Sequence, residues 1–232
     1  MTKPDQLPLA MRWPAQQRFE TFHAGGNGAA LDLVRRAAVD ADAAWVFVGG
    51  SAASGKTHLL IAACAAASAA ARRAQYLSLR SVRDGDPASI RALGGSDLLA
   101  LDDLDAIAGN RAAEHALFDL YNRGKVEKCT FLFAASRPPT QIGIALPDLV
   151  SRLSACAQAP LKPLDDEARR EVLRERAAAR GIELDDTALD WLFARTHRDL
   201  GSLAALLDRL DRESLAAKRR VTVPFLRKLL AS

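Results

Sequence analysis

The sequence predicts an α/β fold, a doubly wound parallel sheet followed by a small C-terminal α-helical subdomain. Three observations predict it. Short apolar runs rich in β-branched and aromatic residues recur near positions 45, 75, 98 and 130, with segments of helical period between them. Chemistry-bearing residues gather at the carboxyl ends of those runs, where open α/β sheets hold their ligands. From Pro163 onward strand-like runs give way to successive helical stretches. The expected organisation is a tail over 1–18, an α/β subdomain over 19–162 and a helical subdomain over 163–232.

The first strand is expected at Trp45-Val46-Phe47-Val48, and an Ala- and Leu-rich helix without Gly or Pro from His58 to Arg73. Between them lies Gly50-Ser51-Ala52-Ala53-Ser54-Gly55-Lys56-Thr57. Strand, Gly-rich loop and helix in that order form the context of a phosphate-binding loop. Gly50 and Gly55 permit conformations and close approaches that a Cβ would hinder. Loop amides and the helix N-terminus would then face anionic oxygens, with Lys56 reaching the β- and γ-phosphates and the Thr57 hydroxyl a Mg²⁺ ion. A Gly/Ser turn between two core elements is the alternative.

Composition narrows the class. At 232 residues, with 49% hydrophobic and 26% charged residues, the chain can bury a substantial core and has the balance of a soluble globular protein. The net charge of +4 is spread among acids, which gives weak attraction to polyanions and no nucleic-acid site by itself. Cys64, Cys129 and Cys156 are far apart in apolar or helical runs, so they read as reduced core thiols, against a zinc site. Pro4, Pro8 and Pro14 with Gln6, Gln16 and Gln17 leave no apolar signal segment. The Ala-rich Ile61–Ala71 stretch is too short to span a bilayer. A cytoplasmic protein with no membrane partner is expected.

The remaining elements follow in order. In the Pro- and Gln-containing tail, Gln6-Leu7-Pro8-Leu9 sets two leucines around a rigid proline, a segment suited to extended docking in an apolar pocket, or an ordinary tail. Phe19 and Phe22 precede a Gly-rich start, Gly25-Gly26-Asn27-Gly28, of a helix from Ala29 to about Ala41; the rings suit a purine base or the core. Gln75–Leu79 reads as a second strand, and Arg80–Ser96 as loop around one short helix. Leu98–Leu101 is a third strand ending in Asp102 and Asp103. Unpaired carboxylates beside a buried strand are costly. Next to Mg²⁺-phosphate, however, Asp102 would hold the metal and Asp103 orient or deprotonate water. Asp103 as a turn cap is the alternative.

Arg111–Arg123 reads as an amphipathic helix that Gly124 ends. A fourth strand, Thr130–Ala135, stops at Ser136-Arg137-Pro138-Pro139. A short helix over 146–153 carries Arg152, and a last strand is expected near Ala157–Leu161. Asp165–Arg180, Asp185–Arg195, Leu200–Lys218 and a final helix from Pro224 make up the helical subdomain, with Gly181 and His197-Arg198-Asp199 at its corners.

Together these motifs resemble the AAA+ ATPases, within them the DnaA-related proteins, and among those the Hda family of DnaA regulators. The resemblance runs from Phe19 to Ser232 and rests on Phe19-x-x-Phe22-x-x-Gly25-x-Asn27, the phosphate loop, Leu101-Asp102-Asp103-Leu104, Ser136-Arg137-Pro138-Pro139, Ser151-Arg152-Leu153 and Arg198-Asp199-Leu200. Phe118–Asn122 and Leu146–Leu149 add to the Hda likeness. It implies ADP or ATP with Mg²⁺, held by Phe19, Phe22, Asn27, Gly50, Ser54, Gly55, Lys56, Thr57, His58, Ser136 and Arg198, with Thr57 and Asp102 on the metal. Ser136 takes the first sensor position and Arg198 the second; a salt bridge with Asp199 is the alternative for the latter. Arg152 takes the arginine-finger position and would act in trans on ATP held by DnaA, a salt bridge to Asp148 or another nearby acid being the alternative; Asp103 and Arg152 are thus the expected catalytic residues. Gln6, Leu7, Pro8 and Leu9 resemble peptides that bind the sliding clamp, the β subunit of DNA polymerase III. The implied partners are therefore DnaA and that clamp, with no dedicated DNA-binding domain. Arginines shared across AAA+ subunits also raise the prospect of a homo-oligomer.

Ser136 stands where the initiator has an acid, Ala10 follows the clamp-like tetrapeptide where some ligands have an aromatic residue, and the phosphate loop is complete where some Hda proteins have a degenerate one. The implied role is stimulation of hydrolysis on DnaA. The alternatives are a stand-alone ATPase, which the intact loop keeps open, and an adaptor of the same lineage.

Overall fold

The computed structural model describes residues 13–82 and 86–195. The tetrapeptide at 6–9, Arg198 and the helices expected beyond 200 lie outside the described residues. The chain divides into two units. One gathers the residues up to Phe22 with Asn27–Gly50 and Gly55–Leu161; the other gathers His23–Gly26, Ser51–Ser54 and the residues from Lys162 on.

The first unit is built on a five-stranded sheet. Its strands are β1 (Val46–Gly50), β2 (Ala74–Ser78), β3 (Leu98–Asp102), β4 (Thr130–Ala135) and β5 (Ala157–Leu161). They run parallel in the order β2-β3-β4-β1-β5. Helix α1 (Gly28–Val39) precedes the sheet, and α2 (Lys56–Ala69), α3 (Ala88–Arg91), α4 (Arg111–Val126) and α5 (Pro147–Ser154) lie in the connections between its strands. β3 and β4 are buried at every position, as the unbroken apolar runs predicted for central parallel strands. β1 differs from its expected span: Trp45 precedes it and Gly49 and Gly50 belong to it, because β5 pairs along its whole length and β4 as far as Gly49.

Strand alternation sends Phe47, Leu99, Leu101, Phe131 and Phe133 to one face, where they pack with Leu117, Leu120 and Tyr121 of α4 and Leu149 and Leu153 of α5. Trp45 joins this aromatic group, its ring centroid 4.5 Å from those of Tyr121 and Phe131. α1 and α2 pack on each other and on the sheet. The Arg72 guanidinium ties the far ends together, donating to the carbonyls of Ala37 (3.1 Å), Ala38 (2.7 Å) and Asp97 (3.0 Å) and to Thr130 Oγ1 (2.9 Å).

Gly124 does not end its helix; α4 runs through it to Val126. The reason is close packing: a Cβ there would collide with the Phe131 ring, lying 2.7 Å from Cζ. Pro160 sits in β5, an edge strand. Ala157 donates to the Trp45 carbonyl, so alternation turns residue 160 to the open side, where a missing N–H costs no ladder bond.

In the second unit Asp165 caps α6 (Asp166–Ala178) by accepting from the Ala168 amide at 2.8 Å. Asp185 accepts from Ala188 at 2.7 Å at the start of α7 (Asp186–Arg195). Leu173, Ala177, Ile182, Leu184, Leu189, Leu192 and Phe193 form its core. No helix among the described residues is long and apolar enough to cross a membrane.

Candidate nucleotide-binding site

The loop between β1 and α2 takes the backbone conformation its glycines allow. Gly55, the N-cap of α2, has φ +99°, and the ring of Phe22 packs where a Cβ would stand, with Cε2 2.7 Å from that position. Ala53 also has positive φ (59°), and Ser54 N–H donates to the Ser51 carbonyl at 3.3 Å. The Ser54 hydroxyl is buried with no hydrogen-bond partner among the described residues. An orphaned hydroxyl in a Gly-rich loop that opens a helix fits an anionic ligand that would accept from it.

Lys56 donates from Nζ to the Gly50 carbonyl at 2.7 Å. Its pKa is lowered by burial first, with the carboxylates of Asp102, Asp105 and Asp103 opposing that shift. Thr57 Oγ1 donates to Asp102 Oδ2 at 2.6 Å, and Tyr76 OH donates to the same oxygen at 3.0 Å. Asp102 is 0% exposed, and its other oxygen accepts the Asp103 amide at 2.9 Å. Burial raises the Asp102 pKa, Asp103 adds to the rise, and the bonds from Thr57, Asp103 and Tyr76 oppose it. Burial and the same carboxylate push the Tyr76 phenol up as well. A hydroxyl and a carboxylate brought together from α2 and β3 form an oxygen pair suited to Mg²⁺, which keeps few protein ligands.

Asp103 has the left-handed φ of 58°. Its carboxylate accepts Ser78 Oγ at 2.8 Å and pairs with Arg80 Nε at 2.9 Å. Ser136, just after β4, donates from its amide to Asp105 at 2.8 Å and from its hydroxyl to the same carboxylate. Ser136 thus contacts an acid three residues beyond Asp102.

The base-side candidates divide. Phe19 is buried, with Arg35 over its ring at 5.4 Å, so it is a core residue. Phe22 is half-buried against Gly55 and the His58 ring, centroids 5.4 Å apart. Asn27 is buried at the start of α1. His58 Nε2 lies 2.8 Å from the Arg18 carbonyl, holding the segment that leads to Phe19 against α2.

Arg152 is in the last turn of α5, half-buried, its guanidinium 4.6 Å from the Phe118 ring centroid and 5.3 Å from that of Tyr121. It makes no ion pair with Asp148 among the described residues. The aromatic rings hold it by cation–π attraction, and no acid among the described residues pairs with it.

Sequence reasoning missed Tyr76, Ser78, Arg80 and Asp105. Tyr76 and Ser78 carried a signal: they are alternate polar-headed residues of β2, and Ser78 is in register with Asp102. Glu114 was missed too, although an acid one position from Ala113 and three from Leu117 lies on the apolar side of its helix.

Residues 14–159 match the family model of the bacterial DnaA ATPase domain, and residues 166–230 match that of the Hda lid domain. Among solved structures, domain III of the Thermotoga maritima replication initiation protein DnaA superposes with TM-score 0.77 at 21% identity, covering 95% of this chain and 98% of that one. A replication initiator DnaA bound to AMPPCP and single-stranded DNA gives TM-score 0.67 at 23% identity, covering 84% of this chain; the chain spans only 65% of that protein's length. The Thermotoga maritima RuvB Holliday junction branch migration motor gives 0.64 at 19%, over 91% of this chain and 70% of that one. Such identities carry the shared fold alone, but the family matches together span most of the sequence. The chain belongs to the bacterial DnaA ATPase-domain family and is a DnaA-related AAA+ protein of the Hda type.

Proposed function

We propose that this protein is a nucleotide-holding regulator of replication initiation that docks on the sliding clamp and stimulates hydrolysis of ATP bound to DnaA. The observation that carries the reading is Arg152: a guanidinium set on the last turn of α5, held by two rings and paired with no acid among the described residues. A cation so held can be presented to the γ-phosphate of a second protein, where it would stabilise charge developing in the transition state. The DnaA-type ATPase domain joined to an Hda-type lid supports DnaA as that second protein.

In its own site the chain would hold ADP or ATP through the loop amides of 50–57, the Ser54 hydroxyl and Lys56. Lys56 would exchange the Gly50 carbonyl for phosphate oxygens. Thr57 can keep donating to Asp102 while its lone pairs, with that carboxylate, hold Mg²⁺. Bound Mg²⁺ and triphosphate would supply the electrophilic phosphorus and neutralise its oxygens. Phe22 and Asn27 border the base side, Phe19 supports them from the core, and His58 fixes the segment that carries both rings. Ser136 would act with Asp105, and Arg198, outside the described residues, would be a further phosphate contact. Gln6, Leu7, Pro8 and Leu9 would bind the clamp as an extended peptide at about micromolar affinity.

The Thr57–Asp102 pair favours a second reading, an ATPase in its own right with Asp103 directing water. Reconstituted hydrolysis separates the two. Turnover by the protein alone is compared with turnover by DnaA plus clamp, DNA and this protein, with ADP and with ATP. Arginine fingers contribute on the order of 10³–10⁵ in rate. Arg152→Ala should therefore abolish the stimulation while folding, nucleotide binding and clamp pull-down persist. Full stimulation by a variant that melts like the parent would refute the trans-acting arginine.

A further inference from the structure

Among the acids of α4, Glu114 is 0% exposed. Its Oε1 accepts the Gly109 amide at 2.7 Å and the Ala145 amide at 3.0 Å. Its Oε2 accepts Ala145 at 3.0 Å and Leu146 at 2.9 Å. Leu146 is the N-cap of α5, and its side chain offers no capping bond. Glu114 therefore satisfies, from a different helix, the amide of the cap residue itself and the amide just before it.

One turn further along α4, Phe118 carries the Arg152 guanidinium, with Tyr121 beside it. Positions 114, 118 and 121 follow the spacing of one helix face. α4 thus grips α5 twice, by its backbone at the start and by its arginine in the last turn. A buried carboxyl group is a costly choice where stability alone is at stake, since a well-packed apolar side chain often serves as well. What the carboxylate adds is direction: its two oxygens accept from amides on two separate segments, which an apolar contact cannot specify.

We propose that Glu114 is a positioning residue for Arg152. By clamping the amides of Ala145 and Leu146 it sets the register of α5 against α4, and so the place at which the guanidinium is offered to the partner's nucleotide. The proposal rests on the trans-acting reading of Arg152.

Glu114→Gln keeps the shape but loses an acceptor and turns an NH₂ toward N–H donors. ATP-loaded DnaA is titrated with parent and variant in the presence of clamp and DNA. Positioning predicts a maximal stimulated rate lower by about 10- to 100-fold, as for a group misplaced by about 1 Å, at an unchanged half-saturating concentration. Glu114→Asp, which restores the charge, should recover part of it. A purely structural role gives the opposite split: partial unfolding raises the amount of protein needed and leaves the maximum intact. The second readout is the ¹⁵N-edited Nε–Hε resonance of Arg152, which the rings of Phe118 and Tyr121 displace; in Glu114→Gln it should move toward the value of an unstacked arginine. A parent-like maximum with an unmoved resonance overturns the proposal. If Glu114→Gln does not fold, Glu114→Asp carries both readouts. If the parent itself fails to stimulate, the reading of Arg152 falls, and the resonance still decides whether Glu114 positions it.

Discussion

Replacing Gly55 by Ala tests whether the phosphate loop depends on a backbone that only glycine adopts at ease. Two costs follow from the structure. With φ at +99°, any L side chain sits in the left-handed half of the map, at about 1–2 kcal/mol. The new Cβ would also lie 2.7 Å from Phe22 Cε2, and overpacking of this kind costs about 1–3 kcal/mol. Phe22 is half-buried and can yield, so the lower part of that range applies, and the sum is about 2–4 kcal/mol. At roughly 2–4 °C per kcal/mol for a chain of this size, the melting midpoint followed by circular dichroism should fall by about 4–16 °C. The two costs separate in a double-mutant cycle with Phe22→Leu, which relieves the collision and leaves the backbone strain. Gly55→Ala should be markedly less destabilising in the Phe22→Leu background than in the parent. A Gly55→Ala protein that melts with the parent, or a cycle with no coupling, would refute the reasoning.

Lys56→Ala should weaken ADP or ATP binding by roughly 1.5–3 kcal/mol, the worth of a charge-assisted phosphate contact; equal affinities by calorimetry would sink the loop assignment. Gly124→Ala should destabilise in urea despite the gain of about 1 kcal/mol that Ala has over Gly in a helix, because the Phe131 ring it meets is fully buried; a stabilised variant would show that α4 can shift away. Burial pushes the Cys64 and Cys129 thiols up to about 12 and Cys156 to about 11. As pH rises past about 8.5 the unfolded chain releases thiol protons that the folded chain keeps, so stability falls from there toward the folded pKa values. Cys64→Ala should flatten that fall by up to about 1.4 kcal/mol per pH unit between pH 9 and 11, and an unaltered slope in urea unfolding would overturn the argument.

The parts of this molecule that were legible in sequence are those whose cause is local. The loop at 50–57 is a strand, a glycine pattern and a helix in succession, and the acids at 102 and 103 announce themselves by ending an apolar strand. Their meeting through Thr57 and Asp102 follows from the parallel order of β1 and β3 around β4. What was illegible has its cause elsewhere in the chain. Gly124 reads as a stop, because helix propensity cannot see the Phe131 ring that needs its missing side chain. Arg152 has an acid within its own helix, yet α4 supplies rings that hold it instead. Asp103 reads in sequence as a water-orienting acid or a turn cap, and neither reading sees the Ser78 and Arg80 that β2 and the turn after it bring to its oxygens. Phe19 and Phe22 look equivalent in sequence, and burial separates them.

Pro160 bears on how copies of this molecule can meet. An open sheet edge is a template onto which another chain can be knitted, and knitting needs an unbroken row of amide donors. Proline at the fourth of the five positions of β5 leaves a gap in that row on its outward side, so a passing strand finds no continuous partner there. Even at high local concentration, backbone zipping along this border is interrupted, and any contact made across it falls to side chains instead of a continuous ladder.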